Sequence, residues 1–352
     1  MKALVYHGPG EIRLEQVPEP VLQGPGDAVV RVTATSICGS DVHILRGHMP
    51  GVLPGTIVGH EFVGVVVEVG SAVAGLAPGD RVAGPAAVWC GQCRPCLKGL
   101  HALCENRGIF GCGSLYGDLP GAQAEFVRVP FADGALQLIP AGLPDEQAIF
   151  VGDILATGYS AVVGMTPGAR TVTSGDAVAV FGAGPVGLCA IAAARLFAPA
   201  HLVAVDLEDY RLELAARLGA DRAVNPTRED PKTAIRDVTD GWGADLVVEA
   251  VGRPETLGTA LSAVALGGTV SVVGLFQEAV PVPIPRLTQR DVTLRMGLGD
   301  LRHMPLLLQH IQAGRLDLTP LITHRLPLDE GSRGYEIFEQ RLDGAIKVLL
   351  YP

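Results

Sequence analysis

Four cysteines, Cys90, Cys93, Cys96 and Cys104, fall within fifteen consecutive positions in the order C-x2-C-x2-C-x7-C. Four soft thiolates in one loop can converge on a tetrahedral zinc ion, and Gly91, Pro95 and Gly99 supply the tight turns between them. The competing reading is a set of buried or redox thiols with coincidental spacing, but the segment CGQCRPCLKGLHALC has no apolar periodicity to support it. A four-thiolate site is closed to substrate, so its work is to fold a lobe. Three further residues with ligand chemistry stand outside it: Cys38 in SICGSDVH, and His60 and Glu61 in GHEFVG. Taken singly these read as a buried thiol, a hydrogen-bonded core histidine and a surface glutamate.

A different chemistry is written in the second half. The apolar run Val178 to Phe181 leads into Gly182, Gly184 and Gly187, and a helical pattern opens at Pro185 and Val186. GxGxxG alone is weak evidence. Here a strand pattern precedes it, a helix pattern follows, and Asp206 closes the next apolar run nineteen residues beyond Gly187. Glycines let the backbone turn tightly and approach a pyrophosphate, which then sits on the helix N-terminus. The Asp206 carboxylate can accept from adenosine ribose hydroxyls and would repel a 2′-phosphate, so NAD is favoured over NADP. Arg211 could attract that phosphate, but Glu208 and Asp209 oppose it, and the arginine reads equally as a helix-surface charge paired with them.

These groups need two kinds of scaffold. The run AVVRVTATSI, residues 28–37, alternates and reads as a half-buried strand, and Phe62 to Val69 and Ala124 to Val129 read similarly among many Gly and Pro turns. That half is β-rich and barrel-like. From about Ser174 the short runs AVAVF, LVAV, DRAVN, DLVVEAV and TVSVVG alternate with helical patterns, the signature of a parallel α/β sheet. Gly219 sits where a glycine should end the second of those helices. The last fifty residues break the repeat, and the Pro-rich VPVPIP and the run AIKVLLYP read as a return to the first domain.

Length and composition agree with this division. A chain of 352 residues exceeds one ordinary core and suggests two domains. With 37 acidic against 27 basic residues, a net charge of -10 and no basic cluster, it offers no footprint for nucleic acid or anionic lipid. The first residues, MKALVYHGPG, lack the pattern of a signal peptide, and no apolar stretch approaches the roughly 18 residues of a membrane span. The expectation is a soluble cytoplasmic protein in which four of the seven cysteines are clustered for a metal site, since disulfide scaffolds are shorter and spread their cysteines.

The run Gly59, His60, Glu61, Gly64, Gly70 and Val73, spaced G-H-E-x2-G-x5-G-x2-V, resembles the signature of the zinc-dependent medium-chain alcohol dehydrogenases, and the four cysteines fall where that family carries a structural zinc. The resemblance covers essentially the whole chain. It implies a GroES-like β-rich catalytic domain over residues 1–154, a Rossmann NAD-binding domain over 155–295 and a return to the catalytic domain over 296–352. It makes Cys38, His60 and Asp153 the ligands of a catalytic zinc. Many relatives have cysteine at the third place, so Asp153 points to bacterial branches with acidic ligands, formaldehyde-dehydrogenase-like members among them. Glu61 stands beside that zinc and can ligate it transiently.

The same resemblance makes Ser40 and His43 a proton relay, although a turn residue and a surface histidine are the plainer readings. It packs Thr157 against the nicotinamide and sets Lys347 near the pyrophosphate, while Gly39 replaces a basic residue that some relatives use there. Ala86, Phe110 and Leu298 are candidates for the pocket lining. The implied reaction is removal of a hydride from an alkoxide to NAD, giving an aldehyde or ketone. The zinc acidifies the alcohol as it does bound water, whose pKa falls to roughly 7. Secondary alcohols, polyols, threonine-type hydroxy acids and formaldehyde adducts all suit that chemistry. A zinc-free quinone or enoyl reductase would have no use for the ligand set, and a non-catalytic NAD-binding relative is the alternative from another class. A homotetramer, or a dimer, is implied, with AVPVPIP as a pairing edge strand or a plain loop.

Overall fold

The computed structural model describes residues 1–169 and 171–352. The chain forms two compact units, one made of Met1–Asp153 and Leu301–Pro352, the other of Ile154–Asp300. The first unit is built on strands. A hairpin pairs β1 (Lys2–Gly8) with β2 (Glu11–Gln16). A larger sheet contains β3 (Ala28–Ile37), β4 (Phe62–Val69) and β5 (Arg81–Gly84), and a short ladder joins β6 (Ala87–Val88) to β7 (Gly108–Ile109). Then come β8 (Phe126–Val129), which pairs with β3, and β9 (Gln137–Leu138), which pairs with β5.

The strand β3 is more buried than its alternation suggests, with Arg31 its one exposed residue. The reason is position. It is hydrogen-bonded to β4 and β8 along one part and to a C-terminal strand along another, so it is an interior strand with both edges paired. Its apolar residues Ala28, Val30 and Val32 share a core with Phe62, Val66, Val82 and Val127.

The second unit is a six-stranded, all-parallel sheet with helices between the strands. It comprises β10 (Ala177–Phe181), β11 (His201–Val205), β12 (Arg222–Val224), β13 (Ala244–Glu249), β14 (Val264–Val272) and β15 (Thr293–Met296), in the spatial order β12-β11-β10-β13-β14-β15. Every residue of β10 is buried, as expected of a strand covered on both faces. The strand order reverses between β10 and β13, and in such sheets that switch point marks the ligand crevice. Gly219, at φ +109°, ends the helix Asp209–Arg217 as its position in the sequence suggests. The segment VPVPIP does not return to the first unit. It forms no strand, leads into the helix Ile284–Thr288, and packs Val280 and Val282 against the core of the second unit, because β15 must still be added to the parallel sheet.

The chain rejoins the first unit at Leu301, and β16 (Ile322–Pro327) and β17 (Lys347–Tyr351) complete its sheet in the order β16-β17-β3-β4-β5-β9. The last strand is thus an interior strand, with Val348, Leu349 and Leu350 opposite Ile37, Ser36 and Thr35.

Candidate metal centres and cofactor loop

The cysteine-rich segment projects between β6 and β7. Cys93 stands at the N-cap of the short helix Arg94–Leu97, with Pro95 in its first turn, and Gly91 and Gly99 both take φ +73°. One ligand atom from each of Cys90, Cys93, Cys96 and Cys104 lies within 4.8 Å of the others. The Cys104 Sγ is 3.6 Å from that of Cys90 and 3.8 Å from that of Cys93. A tetrahedron with Zn–S bonds of about 2.3 Å has edges of about 3.8 Å, so the spacing fits zinc. Backbone N–H groups of Cys90 and Asn106 donate to the Cys104 sulfur, both at 3.3 Å. Burial and neighbouring thiols push Cys96 up to about 12 without a cation. A divalent metal is what would let four thiolates coexist.

The second cluster is assembled from distant segments. Cys38 ends β3 and caps the helix Gly39–Leu45, where its backbone N–H donates to Asp41 Oδ2 at 2.9 Å. His60 and Glu61 follow the left-handed Gly59 (φ +91°) and enter β4, with Thr35 Oγ1 donating to the Glu61 carbonyl at 2.7 Å. Asp153 follows the turn Ile149–Gly152. There Gly152 is required, since a Cβ would lie 2.1 Å from the Gly84 carbonyl oxygen. These constraints bring ligand atoms of Cys38, His60, Glu61 and Asp153 within 4.8 Å of one another. Asp153 Oδ2 is 3.5 Å from Cys38 Sγ and 3.3 Å from His60 Nε2. His60 Nδ1 faces Asp41 Oδ1 at 3.4 Å, so a proton on Nδ1 would leave the Nε2 lone pair for a metal at the cluster.

Electrostatics support a cation there. Burial pushes the Cys38 thiol and the Glu61 carboxyl up, the latter against the charge of Lys347. Burial works the same way on Asp153, but its hydrogen bond to His60 and the charge of that ring hold it at about 2. Glu61 has no exposed surface. Its Oε2 accepts from Ser36 Oγ at 2.5 Å and pairs with the Lys347 ammonium, while Oε1 is buried without a hydrogen-bond partner. Sulfur, nitrogen and oxygen donors converging beside an orphaned carboxylate oxygen suit a divalent ion such as zinc. Lys347 corrects the expectation of a phosphate contact. It is fully buried, and its charge is taken up by Glu61 and by the Ile37 carbonyl, 3.2 Å away, because β17 lies inside the sheet.

Ser40 and His43 are three residues apart on the helix Gly39–Leu45, hence on one face. The Ser40 hydroxyl is 3.2 Å from His60 Nε2. Burial, together with His48 and Arg46, lowers the His43 pKa below its usual value. Of the lining candidates, Phe110 belongs to the core instead: it follows β7, has no exposed surface and packs edge-on to Phe62 at 5.5 Å within the core of the first sheet. Ala86 is 7% exposed, and Leu298, in the second unit, is 48% exposed.

In the second unit, Gly182 takes φ +92°, and a Cβ on Gly187 would lie 1.7 Å from the Gly182 carbonyl oxygen, so strand and helix meet closely. A Cβ on Gly184 would find nothing nearer than Arg211, 3.8 Å away, leaving an open cradle at the N-terminus of the helix Pro185–Arg195. No side chain caps that end. The cradle fits a pyrophosphate. Asp206 closes it, accepting from Ala183 N at 2.7 Å and Glu208 N at 3.0 Å. The Arg211 guanidinium lies beside Gly184 and Asp206. Its Nη1 is 3.9 Å from Asp206 Oδ2 and its Nε donates to Tyr210 Oη, while Asp209 pairs with Arg228. Thr157 is half-buried on the helix Ile154–Val163, with its hydroxyl against Gly299.

Sequence reasoning missed Ser36, Asp41 and Glu249. Glu249 ends β13 fully buried, and its Oε1 accepts from Val251 N, Gly252 N and Thr256 Oγ1, fixing the loop that presses on Gly182. Asp41 had a signal: an acidic residue three after Cys38 is a helix-capping pattern.

Residues 24–141 match the alcohol dehydrogenase GroES-like domain, and residues 185–311 match the zinc-binding dehydrogenase domain. An alcohol dehydrogenase of Cupriavidus necator is 36% identical over 368 residues, covering all of this chain and 99% of that protein. Among solved structures, alcohol dehydrogenase TADH from Thermus sp. ATN1 superposes with a TM-score of 0.94 at 43% identity, over 100% of this chain and 99% of the other. A zinc-binding dehydrogenase from Sinorhizobium meliloti 1021, solved bound to NADP, gives 0.88 at 30% identity over 100% and 99%.

Proposed function

The chain belongs to the zinc-dependent medium-chain alcohol dehydrogenases, and within that family we propose an NAD-dependent enzyme carrying one catalytic and one structural zinc per chain. The observation that carries the reading is the convergence of Cys38, His60 and Asp153, with Glu61 beside them. Three protein ligands leave a position for substrate, which a catalytic site requires. Zinc would supply a Lewis acid that acidifies an alcohol hydroxyl, and the oxidised nicotinamide would supply a hydride acceptor.

This chain's own residues do the rest. The thiolate of Cys38 and the carboxylate of Asp153 would balance a dication, and Lys347 balances Glu61. Asp41 orients His60. Ser40 takes the hydroxyl proton, and His43, kept neutral near pH 7 by its lowered pKa, receives it on the way to solvent. The glycines 182, 184 and 187 and the free N-terminus of Pro185–Arg195 hold the dinucleotide phosphates, with Val186 in the first turn of that helix. Asp206 selects NAD by accepting from the ribose. A second reading, NADP, is favoured by the NADP-bound relative and by Arg211 beside Asp206.

A panel of secondary alcohols, polyols, threonine and formaldehyde adducts, scored by NADH formation alongside metal analysis, tests the assignment. Turnover with about two zinc per chain is expected. No turnover with any alcohol and one zinc per chain would point to a non-catalytic relative.

No helix among the described residues is long and apolar enough to cross a membrane, and the seven free cysteines suit a reducing cytoplasm. The end strand β15 carries Met296, 65% exposed, and pairs only with β14 among the described residues. Edge-to-edge joining of two such sheets gives a dimer and, doubled, a tetramer. Light scattering at micromolar concentration should return a multiple of the 36.6 kDa chain mass; a monomer would refute the assembly.

A further inference from the structure

Asp41 is completely buried, and its two carboxylate oxygens do different work. Oδ1 faces His60 Nδ1. Oδ2 accepts from Cys38 N at 2.9 Å and from the side-chain amide of Gln123 at 3.3 Å. Gln123 is itself completely buried, and its Nε2 also donates to the Ser36 carbonyl at 3.1 Å. Both of those partners are acceptors only, so the amide nitrogen must face them and the amide oxygen must face away. That oxygen accepts from Tyr335 Oη at 2.8 Å, a residue 2% exposed on the helix Gly331–Gln340.

The amide cannot drift. Gln123 N donates to the Val58 carbonyl at 3.0 Å, and its own carbonyl accepts from Leu4 N at 2.9 Å. Its side chain passes over Gly59, where a Cβ would lie 2.4 Å from Gln123 Cγ. Gly59 is therefore required beside His60 to let this side chain through. Hydrogen bonds from Gln123 thus tie together the helix Gly39–Leu45, the approach to β4, the approach to β8 and the helix Gly331–Gln340, and Asp41 Oδ1 carries the arrangement to His60 Nδ1 through a contact of 3.4 Å.

We infer that Gln123 and Tyr335 are positioning residues for His60: they hold the Asp41 carboxylate turned so that one oxygen is kept for the imidazole, fixing the ring's proton and its aim at the metal. Partners behind a metal-bound histidine orient it and raise its basicity, and their loss typically weakens metal binding by about 10- to 100-fold. A chain that only satisfied buried polar groups would affect stability without that selectivity. The inference rests on Cys38, His60 and Asp153 being zinc ligands.

Zinc affinity measured by chelator competition on the full-length protein, with the two sites resolved by their release, tests it. Gln123→Met removes all three hydrogen bonds of the side-chain amide at similar volume and should weaken the Cys38 site by about 10-fold while leaving the four-cysteine site unchanged. Tyr335→Phe removes one hydroxyl and should weaken the same site by a few-fold, on the order of 2 to 5. Cobalt substituted at the Cys38 site should show shifted absorption bands in both variants. Folded variants with wild-type affinity and spectrum would overturn the positioning role, as would equal loss of metal from both sites. If Gln123→Met does not fold, an unchanged affinity in Tyr335→Phe overturns it. Failure of the wild-type protein to take zinc at Cys38 would instead refute the ligand assignment itself.

Discussion

The two cysteine-bearing clusters of the first unit differ in how they are made. The four-cysteine lobe draws all its ligands from fifteen positions, relies on two left-handed glycines and one turn of helix, and packs little besides Trp89 against itself. The cluster at Cys38 draws on residues 38 to 153, with Lys347 behind Glu61, and each member is anchored to a strand or helix of the buried sheet. One site organises its polypeptide. The other is organised by it. A local closed site contributes folding energy, whereas an open site built on a rigid scaffold can give up a ligand position to chemistry.

The sharpest way to break the comparison is to remove one cysteine from each. Cys38→Ala should lower kcat/KM by on the order of 10³-fold or more and empty the catalytic position, yet leave a folded protein that binds NAD, since the glycine loop is in the other unit. Cys93→Ala should cost stability first, with a fall in Tm of about 10 °C, aggregation or lost assembly. Activity and zinc content read beside thermal unfolding check both. A stable, inactive Cys93→Ala or an active Cys38→Ala would reverse the allocation.

A change in the second unit should touch neither cluster. Asp206→Gly removes the ribose acceptor and the repulsion of a 2′-phosphate, so the ratio of kcat/KM for NAD over NADP should fall by on the order of 10- to 100-fold with zinc content unchanged. Wild-type preference for NADP would sink the cofactor assignment.

The smallest effect separates the open site's proton path from its ligands. The His43 pKa lies below the usual histidine value, so the ring stays neutral and able to accept a proton until pH falls through that lowered value. His43→Ala should slow alcohol oxidation about tenfold below neutral pH, where solvent bases are scarce, and little above it. Added imidazole should restore part of the rate. An unchanged pH profile would leave His43 a surface residue.

The four-cysteine cluster was legible because its information is local: four ligand-type residues fall within fifteen positions. The glycine loop was legible for the same reason, since strand, turn and helix are consecutive in the chain. The open site needed the resemblance, because nothing in the types of Cys38, His60 and Asp153 says that they meet. What escaped is what depends on tertiary pairing. Tyr335 and Gln123 are 212 residues apart in sequence, and Lys347 and Ile37 are 310 apart. By resemblance Lys347 reads as a pyrophosphate contact until β17 is found between β16 and β3, and Phe110 reads as a lining residue until Phe62 is found against it. The Pro-rich VPVPIP misled because proline reports the absence of a ladder, not the unit to which a segment belongs.

Placing β17 inside the first sheet has a consequence for synthesis on the ribosome. The second unit, residues 154–300, is complete in the chain before the last strands of the first unit have been made. The cysteine lobe is ready earlier still. Until residue 347 emerges, the sheet lacks an interior strand and Glu61 lacks its counter-charge. Completion of the Cys38 cluster is therefore the last event along the chain, and a nascent chain stopped after β15 would hold a folded parallel sheet and an unfinished cluster.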